Sequence, residues 1–387
     1  MSVKTNNRPV ILAAGGTGGH IFPAEALAEK LLAAGERVLL VTDKRFAHFQ
    51  TGALSKIEKR TIRAGTAGRG IYGKVSGGVN LLLGIVQAVL LLRDLKPKVV
   101  IGFGGYPSFP TVFASGVLRI PAIIHEQNSV LGRANRLLAS RVDYIATSFP
   151  DMQMLKDRDR HKVYVTGNPV RASVCALRDV PYPALADDGQ IHILVTGGSQ
   201  GASVFSNVMP AAIAALPAPL RARVRIDQQC REGELEATRE KYNAVGVNAD
   251  LASFFVDIPA RLAASHLVIA RSGASTVMEL AVAGRPGILV PLPTSMDNHQ
   301  YFNAQALENV GGGWVMPQEG FTPASLAARL EAFLTSPATL TRAAENARKL
   351  CAPDAAQKLA DMVMIVGDGG KPKQEYTLTD FISGVAA

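Results

Sequence analysis

The run Pro9-Val10-Ile11-Leu12-Ala13-Ala14 leads straight into Gly15-Gly16-Thr17-Gly18-Gly19-His20. Half a chain later, Ile191-His192-Ile193-Leu194-Val195-Thr196 leads into Gly197-Gly198-Ser199-Gln200-Gly201. Each reads as an apolar strand, a glycine-lined turn and the start of a helix. In such a turn, backbone N–H groups can approach a phosphate at the positive end of the helix dipole. One such turn is common in α/β proteins. Two at corresponding places predict twin nucleotide-type domains facing one cleft, with His20 on one side.

Outward from these turns, strand-like runs alternate with helical periodicity, the pattern of α/β domains with parallel sheets. Strands are expected near 9–14, 37–42, 98–102, 121–124, 143–147 and 162–166, then near 191–196, 222–228, 251–256, 267–270 and 287–290. A chain of 387 residues suits two domains rather than one core. The expected division is 1–168, 169–345, a helical segment at 346–366 returning to the first domain, and a tail at 367–387. Gly167-Asn168-Pro169 and the Pro- and Asp-rich 179–190 form the linker.

At 48% hydrophobic and 19% charged residues the chain is globular, not disordered. Cys175, Cys230 and Cys351 lack CxxC spacing and read as buried thiols of a reducing cytoplasm, not a disulfide or zinc framework. The first eight residues lack the apolar core of a signal peptide. Residues 1–170 hold 23 Lys/Arg against 11 Asp/Glu, a net of +12, while the whole chain carries +9. The excess concentrates in 44–74, where Lys44, Arg45, Lys56, Lys59, Arg60, Arg63, Arg69 and Lys74 oppose only Glu58. A basic first half calls for an anionic partner: nucleic acid, acidic lipid headgroups or a phosphate-bearing substrate. The apolar run 79–92 is shorter than the ~20 residues of a bilayer crossing. It is expected to be a buried crossover helix, with an interfacial role beside Ile71-Tyr72 as the alternative.

Several constellations carry chemistry. Gly16-Thr17-Gly18 supplies G-x-G, but the third glycine position of a dinucleotide fingerprint holds Ile21. Asp43 ends the second strand where a ribose-binding acid would sit, so a dehydrogenase stays open on this half alone. His20 counts against it, because its imidazole stands where a pyrophosphate would pack; there it can serve as a general base near neutral pH. Gly102-Phe103-Gly104-Gly105-Tyr106-Pro107-Ser108 follows another apolar run. His125-Glu126-Gln127-Asn128 places four polar side chains at a strand end, suited to sugar hydroxyls, with Glu126 or His125 available for proton transfer. Arg271-Ser272-Gly273-Ala274 opens a further helix carrying Glu279, a carboxylate able to accept both hydroxyls of a ribose. Asp157-Arg158-Asp159 imitates a metal-binding D-x-D, but its charged surroundings make it a solvated turn, and no Cys/His cluster offers a zinc site.

Seven motifs in order, from Gly15–His20 through Gly102–Tyr106, His125–Asn128, Gly167–Arg171, Gly197–Gly201 and Arg271–Ala274 to Asn298-His299-Gln300, closely resemble the bacterial MurG family. Its members add N-acetylglucosamine to lipid I, giving lipid II for peptidoglycan. The resemblance spans about residue 8 to about 360. It implies two Rossmann-like domains of the GT-B glycosyltransferase type, the first for the lipid-linked acceptor and the second for UDP-N-acetylglucosamine. It further implies that Thr17, Gly18 and Gly19 border the donor, that Asn128 and Gln300 contact its sugar, and that Arg171 and Ser199 approach the diphosphate. The backbone of Val256 meets the uracil, and Ala274, Ser275, Thr276, Val277, Met278 and Glu279 hold phosphate and ribose. Gly104, Gly105, Tyr106 and Gln127 are placed at the acceptor, His20 is the expected base and Glu126 the second choice. Relatives often carry Gln at the position of His299. The resemblance implies no cofactor and no obligatory metal. It also implies a peripheral protein on an anionic membrane surface, at the cytoplasmic face. A UDP-N-acetylglucosamine 2-epimerase is the rival enzyme. A nucleic-acid-binding module would explain the charge but not the polar turns, and the sequence clusters no aromatics on a basic face.

Overall fold

Seven strands, β1 (Val10–Ala13), β2 (Val38–Thr42), β3 (Glu58–Thr61), β4 (Val99–Gly102), β5 (Ala122–Glu126), β6 (Tyr144–Thr147) and β7 (Val163–Val165), pair in the order β3-β2-β1-β4-β5-β6-β7. Every pairing in this sheet is parallel. A second all-parallel sheet, in the order β10-β9-β8-β11-β12-β13, joins β8 (Ile191–Thr196), β9 (Val224–Gln229), β10 (Asn248–Ala252), β11 (Leu267–Ala270), β12 (Gly287–Leu289) and β13 (Gly313–Val315). This computed structural model describes residues 8–15, 18–44, 52–65, 70–186, 188–198, 201–352 and 354–373. The chain divides into two units, Met1–Arg171 with Ala352–Ala387, and Ala172–Cys351.

In the first unit, α1 (Gly18–Ala33), α2 (Gly70–Leu95), α3 (Gly105–Val117) and α4 (Arg133–Leu138) connect the strands. Alternation along β1 assigns the faces. Val10 and Leu12 pack with Leu27 and Leu31 of α1 and with Leu359 and Val363 of the C-terminal helix Ala355–Gly367. Ile11 packs the other way, with Ala88 and Leu92 of α2 and Val112 of α3. In the second unit Ile191, Ile193 and Val195 pack with Phe205 and Met209 of the helix Ser203–Ala214, and Leu194, Val268 and Leu280 are buried outside that cluster. Cys230 and Cys351 are buried, and Cys175 is half-buried.

Three readings need correction. β3, Glu58-Lys59-Arg60-Thr61, and β13, Gly313-Trp314-Val315, were not expected, because each is a short edge strand and the first has no apolar residue. The strand expected at 251–256 ends at Ala252, and the apolar residues beyond it belong to a turn. The helix at 79–92 is not buried. It extends over Gly70–Leu95 and turns Gly84, Ala88 and Leu92 inward, while Val75, Val79, Leu82, Val86 and Leu90 are each at least half exposed. A side chain at Gly84 would collide with the Arg63 carbonyl, so the helix makes a close approach at this glycine. By length and composition Val75–Leu95 could cross a membrane. The strands on either side of it, β3 and β4, lie in one sheet.

Candidate active site

In each sheet the strand order reverses once, between β1 and β4 and between β8 and β11. Open α/β sheets bind ligands at the strand C-terminal ends beside such a switch point. The glycine turns stand at these places.

In the first unit, a Cβ on Gly15 would lie 2.9 Å from both Pro107 Cγ and Thr42 Oγ1, so only glycine fits after β1. After β4, Gly104 (φ 84°) and Gly105 (φ 74°) take a conformation that side chains disfavour. A Cβ on Gly105 would meet the Gly15 carbonyl at 2.9 Å and His20 Cδ2 at 3.3 Å. One on Gly104 would lie 3.3 Å from His20 Cε1. The half-buried imidazole of His20, in the first turn of α1, therefore rests against bare backbone.

His20 Nδ1 lies 3.0 Å from Gln127 Oε1, and Gln127 Nε2 lies 3.0 Å from His125 Nδ1. His125 Nε2 in turn lies 3.2 Å from the Gly167 carbonyl. His125 is fully buried, and that burial pushes its pKa down to about 4, so the ring is neutral at physiological pH. His20 Nε2 has no hydrogen-bond partner among the described residues.

Glu126, the second choice of base, and Gln127, expected at the acceptor, are both buried and hydrogen-bonded within the protein. The Glu126 carboxylate is buried and accepts from Asn128 N (3.1 Å), Asn128 Nδ2 (3.2 Å), Gly132 N (2.8 Å) and Asn135 Nδ2 (2.8 Å). With its acceptor sites filled it shapes the loop 126–135 and is not placed to take a substrate proton. Gln127, expected at the acceptor, is buried with both amide atoms engaged by histidines. Asn135 was not anticipated; a polar residue in the helix following the His-Glu-Gln-Asn run was its only signal.

Gly18 and Gly19 open α1, Asn128 is half-buried, and Tyr106 is half exposed at the start of α3. Exposed Arg171 carries its guanidinium 5.9 Å from the Phe22 ring. Thr17 and Ser199 lie outside the described residues. The D-x-D carboxylates are ion-paired, Asp157 with Arg160 at 2.9 Å and Asp159 with Lys162 at 3.8 Å. Among the described residues no group of three His, Cys, Asp or Glu side chains could hold a metal ion.

In the second unit, a side chain at Gly197 would collide with Ala202 N, which enforces the tight turn after β8. After β11, Gly273 precedes the helix Ala274–Ala283 and no side chain caps it. The first-turn N–H groups of Ala274, Ser275 and Thr276 are therefore available to an anion. Val277 and Met278 are buried in the core, so only their backbone can face a ligand, while Glu279 is half-buried one turn on. Arg271, quoted in the sequence but given no role, is buried and braces this turn. Its Nη1 donates to the Val290 (3.0 Å) and Pro291 (3.1 Å) carbonyls and its Nη2 to Gln318 Oε1 (2.5 Å). Burial lowers its pKa. Its signal was an arginine directly after an apolar strand. Asn303 Nδ2 adds a bond to the Ser272 carbonyl at 3.1 Å. Gln300 Oε1 accepts from Leu292 N at 3.0 Å, and His299 Nδ1 donates to the Met296 carbonyl at 2.8 Å. Val256 is 88% exposed, which leaves its backbone open, while Phe255 is buried beneath the Arg261 guanidinium at 3.9 Å.

The glycosyltransferase family 28 N-terminal domain matches residues 10–147, and the family 28 C-terminal domain matches residues 192–359. The chain is thus a glycosyltransferase with two Rossmann-like domains of the GT-B type. It is 55% identical over 356 residues to a UDP-N-acetylglucosamine–N-acetylmuramyl-(pentapeptide) pyrophosphoryl-undecaprenol N-acetylglucosamine transferase of Rhodospirillum centenum, covering 92% of this chain and 94% of that one. It belongs to that family of transferases. A crystal structure of MurG from Acinetobacter baumannii is similar at a TM-score of 0.75 and 28% identity, covering 92% of this chain and 99% of that one. A UDP-N-acetylglucosamine 2-epimerase from Neisseria meningitidis shares the fold at a TM-score of 0.61 but only 14% identity, covering 92% and 99%.

Proposed function

We propose that this protein transfers N-acetylglucosamine from UDP-N-acetylglucosamine to the 4-hydroxyl of the N-acetylmuramyl group of lipid I, giving lipid II and UDP. The observation that carries the reading is the His20 imidazole, held at Nδ1 by Gln127 and backed by two glycines, with Nε2 unpartnered among the described residues. The acceptor hydroxyl attacks the anomeric carbon as His20 Nε2 takes its proton. The new C1–O bond forms as the bond to the UDP oxygen breaks, with inversion of the anomeric centre. The departing diphosphate carries its negative charge to the N–H groups of Ala274, Ser275 and Thr276 and to Arg171. Gly18, Gly19, Asn128 and Gln300 border the donor sugar, the Val256 backbone meets the uracil, and Gly104, Gly105 and Tyr106 line the acceptor. Incubating the purified protein with labelled UDP-N-acetylglucosamine and a lipid I analogue tests this reading. A β-linked disaccharide product is expected; release of N-acetylmannosamine without acceptor would instead make the protein an epimerase.

Glu279 accepts the ribose hydroxyls in this reading. Glu279→Gln removes a charge-assisted pair worth about 1.5–3 kcal/mol, so the donor KM should rise about 10- to 100-fold with a smaller change in kcat. An unchanged KM removes Glu279 from the donor site.

The outer stripe of α2 serves as the membrane-facing surface. Val75, Val79, Leu82, Val86 and Leu90 form one apolar line, and Arg63, whose N–H donates to Gln87 of α2 at 2.8 Å, adds exposed positive charge beside it. Burying one such side chain contributes about 1.5–3 kcal/mol. Leu82→Glu with Val86→Glu should therefore lower partitioning onto phosphatidylglycerol vesicles by more than about tenfold in flotation assays. Equal flotation would place the contact elsewhere.

A further inference from the structure

The hydrogen-bond chain from His20 to Gly167 has a direction, and backbone carbonyls impose it. The Gly167 carbonyl can only accept, so His125 Nε2, 3.2 Å away, carries a proton. The carbonyl is itself held in place. Gly167 has φ 80°, and a Cβ there would lie 2.7 Å from Ala352 Cβ and 3.0 Å from Ala355 Cβ. A neutral imidazole has a single N–H, so His125 Nδ1 is a lone pair and needs a donor. That donor is Gln127 Nε2 at 3.0 Å, which also lies 3.2 Å from the His125 carbonyl, another obligate acceptor. Turning the amide over would set its oxygen against both of these acceptors. Gln127 Oε1 is therefore the atom aimed at His20 Nδ1. It accepts, and the one proton of neutral His20 sits on Nδ1.

We propose that Gln127 is a positioning residue which, with His125 and the Gly167 carbonyl, selects the Nδ1–H tautomer of His20 and so leaves the lone pair on Nε2. The inference rests on His20 as the base of the transfer reaction. An amide does here, without charge, the orienting work for which a carboxylate is the common alternative. Nδ1 of His20 is thus held by a hydrogen bond and not by an ion pair. The relay also keeps its direction through neutral pH, since burial holds His125 unprotonated down to about pH 4.

The test reads the tautomer directly. Ring 15N shifts are recorded on the full chain labelled at histidine, with the His20 signals assigned by their loss in His20→Ala. In the unsubstituted protein His20 should show a protonated Nδ1 and an unprotonated Nε2. Gln127→Met removes both hydrogen bonds at similar volume and should shift His20 toward the Nε2–H form. It should lower kcat about tenfold, short of the ~10²–10⁴-fold for loss of a base, with donor KM within about threefold. Gln127→Glu keeps an acceptor for Nδ1–H. It should retain the tautomer and move the acid limb of the kcat profile to higher pH, because a carboxylate favours the imidazolium. An Nε2–H signal for His20 in the unsubstituted protein overturns the proposal, as does an unmoved tautomer in Gln127→Met. If Gln127→Met does not fold, the first spectrum and Gln127→Glu decide it. Retained activity in His20→Ala would remove the base reading, and the tautomer spectra of the unsubstituted and Gln127-substituted proteins would still judge the relay.

Discussion

His20→Ala is expected to lower the turnover of N-acetylglucosamine transfer by about 10²–10⁴-fold, the usual contribution of a general base, while UDP still binds. The residue sits in the first turn of α1 with Nδ1 committed to Gln127, so substitution removes a proton acceptor without opening the buried core. Glu126 offers no substitute, because four N–H groups already occupy its carboxylate. Ala274–Glu279, the residues proposed above for the donor, lie on a different part of the chain, so UDP affinity measured by calorimetry should stay within about threefold. A loss of turnover below about threefold, under ~1 kcal/mol of barrier, removes His20 from the chemistry.

Arg285→Leu is expected to destabilise the second unit by about 3–5 kcal/mol, because buried carbonyls left without a donor cost about 1–3 kcal/mol each. The Arg285 guanidinium is fully buried and donates only to backbone carbonyls: Leu262 (2.9 Å), Ala263 (2.8 Å), Ala283 (2.7 Å), Gly284 (3.1 Å) and Pro181 (3.3 Å). Four of these end two helices, Ile258–Ala264 and Ala274–Ala283, whose C-terminal dipoles favour a cation. Burial still lowers its pKa, to about 10, so it remains charged at neutral pH. Leucine would fill much of the volume and leave the carbonyls unsatisfied. Arg285→Lys should recover part of the loss, since an ammonium has three donors in place of a planar fork. Trp314, the only tryptophan in the chain, lies in β13 and reports unfolding of this unit by fluorescence. A urea-unfolding difference below about 1 kcal/mol would show that the carbonyls find other partners. Because this arginine anchors the C-terminal end of the helix whose first turn is assigned to the donor, looser UDP binding should accompany the loss.

The fold was largely legible in the sequence because both sheets are parallel and their central strands buried. Such strands read as continuous apolar runs ending in glycine turns. Edge strands lack that signature: Glu58-Lys59-Arg60-Thr61 pairs on one side only and carries charged side chains that remain at least partly exposed. α2 misled for a related reason. Its apolar content marked it for burial, yet Gly84, Ala88 and Leu92 face inward while Val75, Val79, Leu82, Val86 and Leu90 stay exposed.

At the site, the sequence by itself determined the membership of the transferase family, the two switch-point turns, the presence of His20 and Glu279 in helices that follow glycine-containing turns, and that of Arg271 and the His-Glu-Gln-Asn run at strand ends. These are matters of residue type and order. Only the tertiary structure decided which of four consecutive polar side chains does what. Glu126 is turned to the N–H groups of the loop after β5, while Gln127 lies between the neighbouring imidazole of His125 and that of His20, from a distant part of the chain. The direction of the resulting proton relay depends on a carbonyl at Gly167, some 40 residues beyond Gln127. The physical reason is that a hydrogen bond needs donor and acceptor atoms within about 3 Å, and spacing along the chain does not encode that distance.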